Sequence, residues 1–420
     1  MKKLNLFFNK KKYFKYLVLI LIFFFLYILV GEKNRIKVDH WLDDNIFYRL
    51  NAAKRIIIYD KSFADKFHNS YNQKYLPETL FLNLKFETKK IDFLIQNRES
   101  FNYSFFIEVI EDEEILVTDA YGNFSYINIS DSSKNFNDKN RTIIKSNLKI
   151  HETLDTFLHQ DKIFISYVKK KEDCKTFGIS YASFNKDYLD FKSFFENKDC
   201  KKRINGGKIQ HYNFKNKNGL LYSLSATIMN EPTMEPQNES SIFGKILFQE
   251  FGSTKPIIFS KGHRVNQGLI TINNLILATE HGPKGGDEIN KIEFLKNYGW
   301  PISSYGVKYG DNVKKPFYKV SHDKFDFTEP LYVFMTAIGI TEIIKLPDNF
   351  SDYWQNNFIV SSLNRGSIYR IKFHKNFKKL LFKEEIFIGK RIRDVKYIPK
   401  RKKIILALET RGEIGILSNE

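Results

Sequence analysis

Only two of the 420 residues are cysteine, Cys174 and Cys200, so the chain can close at most one internal disulfide. Beyond residue 31 no stretch carries long helical periodicity, which argues against a helical domain. No DNA- or RNA-binding motif is present, and the basic excess behind the net charge of +19 is dispersed instead of gathered into a stripe. Nucleic acid is therefore excluded as a partner, and a solvated basic surface is the simpler reading. Alanine is scarce beside abundant Lys, Asn, Ile and Phe, a bias we attribute to the codon composition of the source genome. Acids are missing altogether before Glu32, whereas Lys2, Lys3, Lys10, Lys11, Lys12 and Lys15 crowd the first fifteen residues.

Behind those lysines stands one uninterrupted apolar run, YLVLILIFFFLYILV, over residues 16–30. Crossing a bilayer as a helix takes roughly 17 to 20 residues. Residues 13–31 reach that length if Lys15 snorkels to the interface. The lysines before the run and the mixed charge after it place the N-terminus in the cytoplasm. The exit from the run lacks the small-residue triplet of a cleaved signal peptide. The sequence thus predicts a basic cytoplasmic segment (1–15), a single-pass signal anchor (16–31), a stalk with a short helix near residues 41–54 (32–75) and an exported domain (76–420). That domain would lie on the periplasmic side of a bacterial inner membrane. Export brings an oxidising compartment, in which Cys174 and Cys200, flanking a hairpin-like stretch, either pair or remain two separate thiols.

The exported part repeats one pattern. A short apolar strand leads to a turn and then to a second alternating strand, at 114–129 (EILVTDAYGNFSYINI), 162–184, 219–248, 274–292, 357–373 (NFIVSSLNRGSIYRIKF) and 403–417 (KIILALETRGEIGIL). Alternation with period two marks half-buried strands, and the turn glycines supply positive φ. Repetition of this kind predicts an all-β protein, a six-bladed β-propeller in which each copy forms the inner part of a blade. Two packed sandwiches would also satisfy the pattern.

Two stretches are specific enough to suggest a family. Residues 280–301 contain EHGPKGGDEIN and NYGWP, and residues 361–395 contain SSLNRGSIYRIKF and GKRIRDV. Together they resemble the glucose/sorbosone dehydrogenase family, whose members are six-bladed propellers. The resemblance implies that pyrroloquinoline quinone (PQQ) and Ca²⁺ bind at the top of the propeller, where a sugar aldose is oxidised at C1. A quinone cofactor carries the redox chemistry and the protein orients it. On this resemblance the carbonyls of Gly282 and Pro283 bind the Ca²⁺, which takes oxygen ligands. Arg264 contacts the quinone, and Arg391 with Arg393 holds its carboxylates, a task that suits planar guanidinium forks.

The sequence also departs from the family's pattern. The histidine expected as general base, opening an H-x-x-G-(R/K) stretch, is replaced by Ile204 in INGGK, which cannot accept a proton. The asparagine expected after Arg264 is Val265, with Asn266 adjacent, and the lysine expected in the later motif is Asn364. His211 lies seven residues beyond Ile204, His281 sits beside the Gly282 turn, and His263 precedes Arg264; none of the three reads as catalytic. Asp287 and Glu288 would either anchor the turn by accepting backbone N–H groups or bind a second cation. Two functions follow from this reading. One is a PQQ- and Ca²⁺-dependent sugar dehydrogenase that lacks its base. The other is a non-catalytic, membrane-anchored propeller that binds a sugar, glycan or partner protein.

Overall fold

A computed structural model describes residues 82–96, 103–133, 135–226, 233–307 and 322–419. The expected cytoplasmic segment, signal anchor and stalk lie outside the described residues. No helix among those described is long and apolar enough to cross a membrane. The only helical turns described are the short 3-10 turns Glu235–Gln237, Asp323–Phe325 and Asp352–Trp354.

The described strands form six sheets. Blade 1 runs outward from Phe105–Val109 through Glu114–Asp119 and Phe124–Asn128 to Arg141–Ser146. Blade 2 contains Glu152–His159, Lys162–Lys171, Cys174–Ser183 and Lys192–Glu196. Blade 3 contains Asn205–Phe214, Lys217–Ser225, Lys245–Glu250 and Ile257–Lys261. Blade 4 contains Asn266–Ile272, Leu275–Glu280, Asp287–Lys291 and Tyr332–Phe334. Blade 5 contains Ile340–Lys345, Asn357–Ser362, Ser367–Phe373 and Leu380–Phe387. Blade 6 takes Ile392–Ile398, Lys403–Leu408 and Glu413–Asn419 from the end of the chain and Leu84–Ile91 from far earlier in it. Leu84–Ile91 pairs antiparallel with Glu413–Asn419 and so closes the ring. The six first-named inner strands contact one another in cyclic order around a central shaft.

The core explains why the strands read as they do. Six apolar clusters occur among the described residues, one at each seam between neighbouring blades. Lys403–Leu408 shows the rule. Ile404, Leu406 and Leu408 face the seam with blade 5, whereas Ile405 and Ala407 face the seam with blade 1. Side chains alternate across a strand, so a blade wedged between two others buries both of its faces. The six sequence repeats are the second and third strands of each blade, not its innermost part. Those middle strands are the doubly covered ones, which makes their apolar pattern the strongest.

The inner strands are irregular for a different reason. In blades 2 to 6 the pairing slips by a β-bulge near the start of the inner strand, between Thr153 and Asp155, Gly206 and Ile209, Asn266 and Gly268, Ile340 and Ile343, and Ile392 and Asp394. A bulge turns an extra side chain away from the ladder. In blade 3 it is built from Gly206 and Gly207 at φ of 81° and 85°, a conformation that glycine adopts without strain. The bulges deliver Asp155, Lys208, Glu342 and Asp394 into the shaft as buried charges. Lys208 pairs with Asp155 at 2.6 Å and Glu342 at 2.5 Å, and Lys396 pairs with Glu108 at 2.8 Å. Asp155 also accepts the N–H of Ile209 at 3.0 Å, and Asp394 that of Ile107 at 3.0 Å, tying blade 2 to blade 3 and blade 6 to blade 1. Cys174 and Cys200 are joined in a disulfide with Cα atoms 5.5 Å apart.

Candidate functional site

The entrance to the shaft on the bulged side gathers the arginines singled out by sequence. The bulge at Ile392–Asp394 brings Arg391 and Arg393 to one carboxylate, Glu409, on the neighbouring strand end. Arg391 Nε donates to Glu409 Oε1 at 2.8 Å and Arg393 Nε to Oε2 at 2.9 Å. Glu409 has no exposed side-chain area, whereas Arg391 and Arg393 keep 24% and 20% of theirs. Burial by itself would raise the Glu409 carboxyl, but the charges of Arg393 and Arg391 hold it below the ordinary carboxylate range. The buried acid thus aligns two guanidinium groups whose outer edges still face the entrance. Arg391 Nη1 donates to Asn364 Oδ1 at 3.2 Å, and Arg393 Nη1 reaches across to Gln267 Oε1 of blade 4 at 3.2 Å.

Arg264 approaches the same entrance from blade 4. Its Nη1 donates to the carbonyls of His281 and Gly282 at 3.0 and 2.8 Å, and its guanidinium lies 5.2 Å from the Trp300 ring centre. His281 lies between the arginines. Burial lowers its pKa, Asp287 opposes that shift, and Arg264 and Arg393 both add to the lowering. Arg264 on the His281 carbonyl and Arg393 on Gln267 Oε1 bring guanidiniums from two sides to the same end of blade 4.

Asp287 anchors the turn. Its Oδ1 accepts the Gly282 N–H at 3.1 Å, and its Oδ2 accepts those of Ile338, Gly339 and Ile340 at 2.9, 2.8 and 3.1 Å. Four backbone donors occupy this one carboxylate, which supports the anchoring alternative for it. Glu288 is buried with Asn290 Nδ2 donating to it at 3.1 Å, and burial first, then Glu280, pushes its pKa well up. The turn leaves no room at Gly282, where a Cβ would stand 2.1 Å from the Gly285 carbonyl. The Pro283 ring is buried in the same turn.

The remaining positions lie elsewhere. Ile204 is buried and packs in the apolar cluster between blades 2 and 3. His211 lies far along the blade 3 inner strand, about 20 Å from its mouth end at an ordinary strand rise, stacked on His159 with ring centres 3.9 Å apart. His263 is wholly buried and uses both nitrogens, with Ser260 Oγ at 2.8 Å and Glu280 Oε2 at 3.0 Å. His281 Nε2 engages the Ile340 carbonyl at 2.6 Å. Val265 is buried and only its carbonyl takes part, accepting from His281 N at 2.9 Å. Asn266 donates to Glu280 at 3.2 Å. Sequence reasoning missed Glu409 and Gln267. Gln267 follows Asn266 directly and could have been found as the next polar group of RVNQG. Glu409 had no local signal, because its partners lie 16 and 18 residues away.

The Glucose / Sorbosone dehydrogenase family profile matches residues 101–415. The aldose sugar dehydrogenase YliI of Escherichia coli is 28% identical over 165 residues, covering 37% of this chain and 42% of that protein. Quinoprotein glucose dehydrogenase B of Acinetobacter calcoaceticus is 26% identical over 213 residues, covering 37% of this chain and 44% of that protein. These matches span less than half the length of either curated relative. The apo crystal structure of the soluble aldose sugar dehydrogenase from Escherichia coli superposes with a TM-score of 0.64 at 18% identity, over 80% of this chain and 99% of that one. At that identity the likeness establishes the six-bladed fold.

Proposed function

The chain belongs to the glucose/sorbosone dehydrogenase family, and from that premise we propose that the arginine mouth binds an anionic quinone cofactor of the PQQ class and acts slowly on a sugar. The observation that carries this reading is the division of buried Glu409 between Arg391 and Arg393. Together with Arg264, which sits on the Gly282 turn, this puts three guanidiniums at the mouth, and their planar forks suit the carboxylates of a polyanion. When bound, PQQ supplies the two-electron oxidant for a sugar hydroxyl. Arg391, Arg393 and Arg264 would hold its carboxylates and carbonyl oxygens, with Asn364 and Gln267 fixing the outer guanidinium edges.

Ca²⁺ fits this mouth poorly, since the Gly282 carbonyl already accepts from Arg264. No step is assigned to the ion. Among the described residues no group of three or more His, Cys, Asp or Glu is placed to hold a metal. Proton acceptance is also weak. Ile204 is apolar, His263 has both nitrogens engaged, and His211 lies away from the mouth. Loss of the expected base at position 204 costs about 10²- to 10⁴-fold in rate. The apolar run at residues 16–30 and the Cys174–Cys200 disulfide support a propeller anchored on the extracytoplasmic face of a membrane.

The test is a thermal melt of the purified chain with and without PQQ, followed by aldose turnover with a dye acceptor. A ligand that binds only the folded chain raises its Tm. We expect such a rise, with turnover far below that of a base-equipped enzyme. No rise and no dye reduction would overturn the cofactor reading. Ile204 favours a second reading, a propeller that binds a glycan without redox chemistry, which saturable sugar binding in the absence of any PQQ effect would support.

A further inference from the structure

We propose that Arg264 is the resident cation of this mouth: its guanidinium occupies the carbonyl oxygen that a Ca²⁺ ion would need, so the mouth takes its anionic ligand without a metal. Nη1 of Arg264 stands 2.8 Å from the Gly282 carbonyl and 3.0 Å from that of His281. The residue is held from several directions. The residue is only 6% exposed, its guanidinium lies over Trp300, and its own N–H donates to Glu280. Glu280 is fixed in turn by His263 at 3.0 Å and Asn266 at 3.2 Å.

The acceptor is equally fixed. Asp287 holds the Gly282 N–H at 3.1 Å, and the turn is so tight that a Cβ at Gly282 would stand 2.1 Å from the Gly285 carbonyl. The carbonyl therefore has little freedom to turn toward a second partner. Ca²⁺ binds six to eight oxygens, each about 2.3–2.6 Å away. An ion on the Gly282 oxygen would lie within about 5 Å of Nη1, two cations on one dipole in a tight turn. Asp287 spends both oxygens on four backbone N–H groups, so neither is left as a ligand for such an ion. A guanidinium satisfies the turn's carbonyls with directed N–H donors and needs no shell of six ligands.

Metal exclusion can be measured on the ligand-free chain, so its failure is distinct from failure of the anion site, on whose reading the metal-free ligand binding rests. Terbium titration with tryptophan excitation uses Trp300 as the donor, and Ca²⁺ calorimetry gives the affinity. Wild type should show no saturable binding below about 1 mM, the weak end of protein Ca²⁺ sites. Arg264→Gln and Arg264→Met, which keep the stem and lose the charge, should bind Ca²⁺ at least about tenfold more tightly. Micromolar Ca²⁺ binding by wild type would overturn the assignment without recourse to any variant. So would two folded neutral variants that bind no better than wild type. Where PQQ raises the Tm, the rise should be unchanged by EDTA, and its loss in EDTA counts against Arg264 as the resident cation.

Discussion

Arg393 and Glu409 meet through two nitrogens and one oxygen, Nε at 2.9 Å and Nη2 at 2.8 Å from Oε2, with the acid wholly buried and the base partly exposed. The other oxygen of the same carboxylate serves Arg391. Glu409→Gln keeps the shape and removes the charge that holds two like-charged groups together. Truncating one partner of a buried pair costs about 3–5 kcal/mol, and partial exposure of both arginines puts this case near the lower figure. Urea unfolding should register the loss together with weaker PQQ stabilisation, and an unmoved midpoint would show that Glu409 does not organise the mouth.

The shaft should respond in a similar way. Lys208 is the shared partner of Asp155 and Glu342, at 2.6 and 2.5 Å. Lys208→Met would leave two buried acids facing each other, at a cost of about 3–5 kcal/mol by denaturant melting. Adding Glu342→Gln to that variant should recover part of the loss, because it removes one of the orphaned charges. Additive losses in the double variant would contradict a shared network.

Stability should fall as pH rises from about 4.5 to neutrality. Burial pushes the Glu108 carboxyl from 4.5 up to about 7, Lys396 opposes, and Asp394 and then Asp155 add to the rise. A raised carboxyl favours the folded state while protonated, so its penalty is absent below about 4.5 and complete above about 7. The full effect is on the order of 3 kcal/mol. Asp155 and Glu342, also raised by burial first, act in the same direction. Glu409, lowered by its arginines, acts oppositely, but only as pH drops below the ordinary carboxylate range. Melting temperatures between pH 5 and 8 should decline for wild type and less so for Glu108→Gln; identical slopes would rule Glu108 out as the source.

Ring closure depends on Leu84–Ile91. Leu84 is buried in the seam between blades 5 and 6, and Ile91 in the seam between blades 6 and 1. Leu84→Ala should cost about 2–5 kcal/mol in urea unfolding, as for other buried leucines. A cost near zero would mean that blade 6 is stable on the three strands from the end of the chain.

The disulfide joins Cys174 and Cys200 across a sequence separation of 26. A loop of that size corresponds to roughly 3–4 kcal/mol of chain entropy. Cys174→Ser should lose about that much in denaturant melts, and reducing agent should do the same to wild type but nothing further to the variant.

Sequence by itself determined the all-β character, the number of repeats and the family motifs. These rest on short-range signals: period-two alternation on the doubly covered middle strands, turn glycines, and the fixed spacing of EHGPKGGDEIN and NYGWP. It also placed Arg264, Gly282, Pro283, Arg391 and Arg393 on motifs that the fold brings to one mouth. Tertiary structure alone decided what those residues do to one another. Gln267 meets Arg393 across 126 positions, Asp287 reaches Gly339 across 52, and Leu84–Ile91 finds its place beside Glu413–Asn419. The sequence reading assigned Arg264 to a quinone and Gly282 to a metal, while the folded chain joins them by a hydrogen bond. The reason is physical. Periodicity reports which face of a strand is covered, but a bulge re-aims single side chains, and closing a ring of blades juxtaposes groups whose separation along the chain carries no pattern.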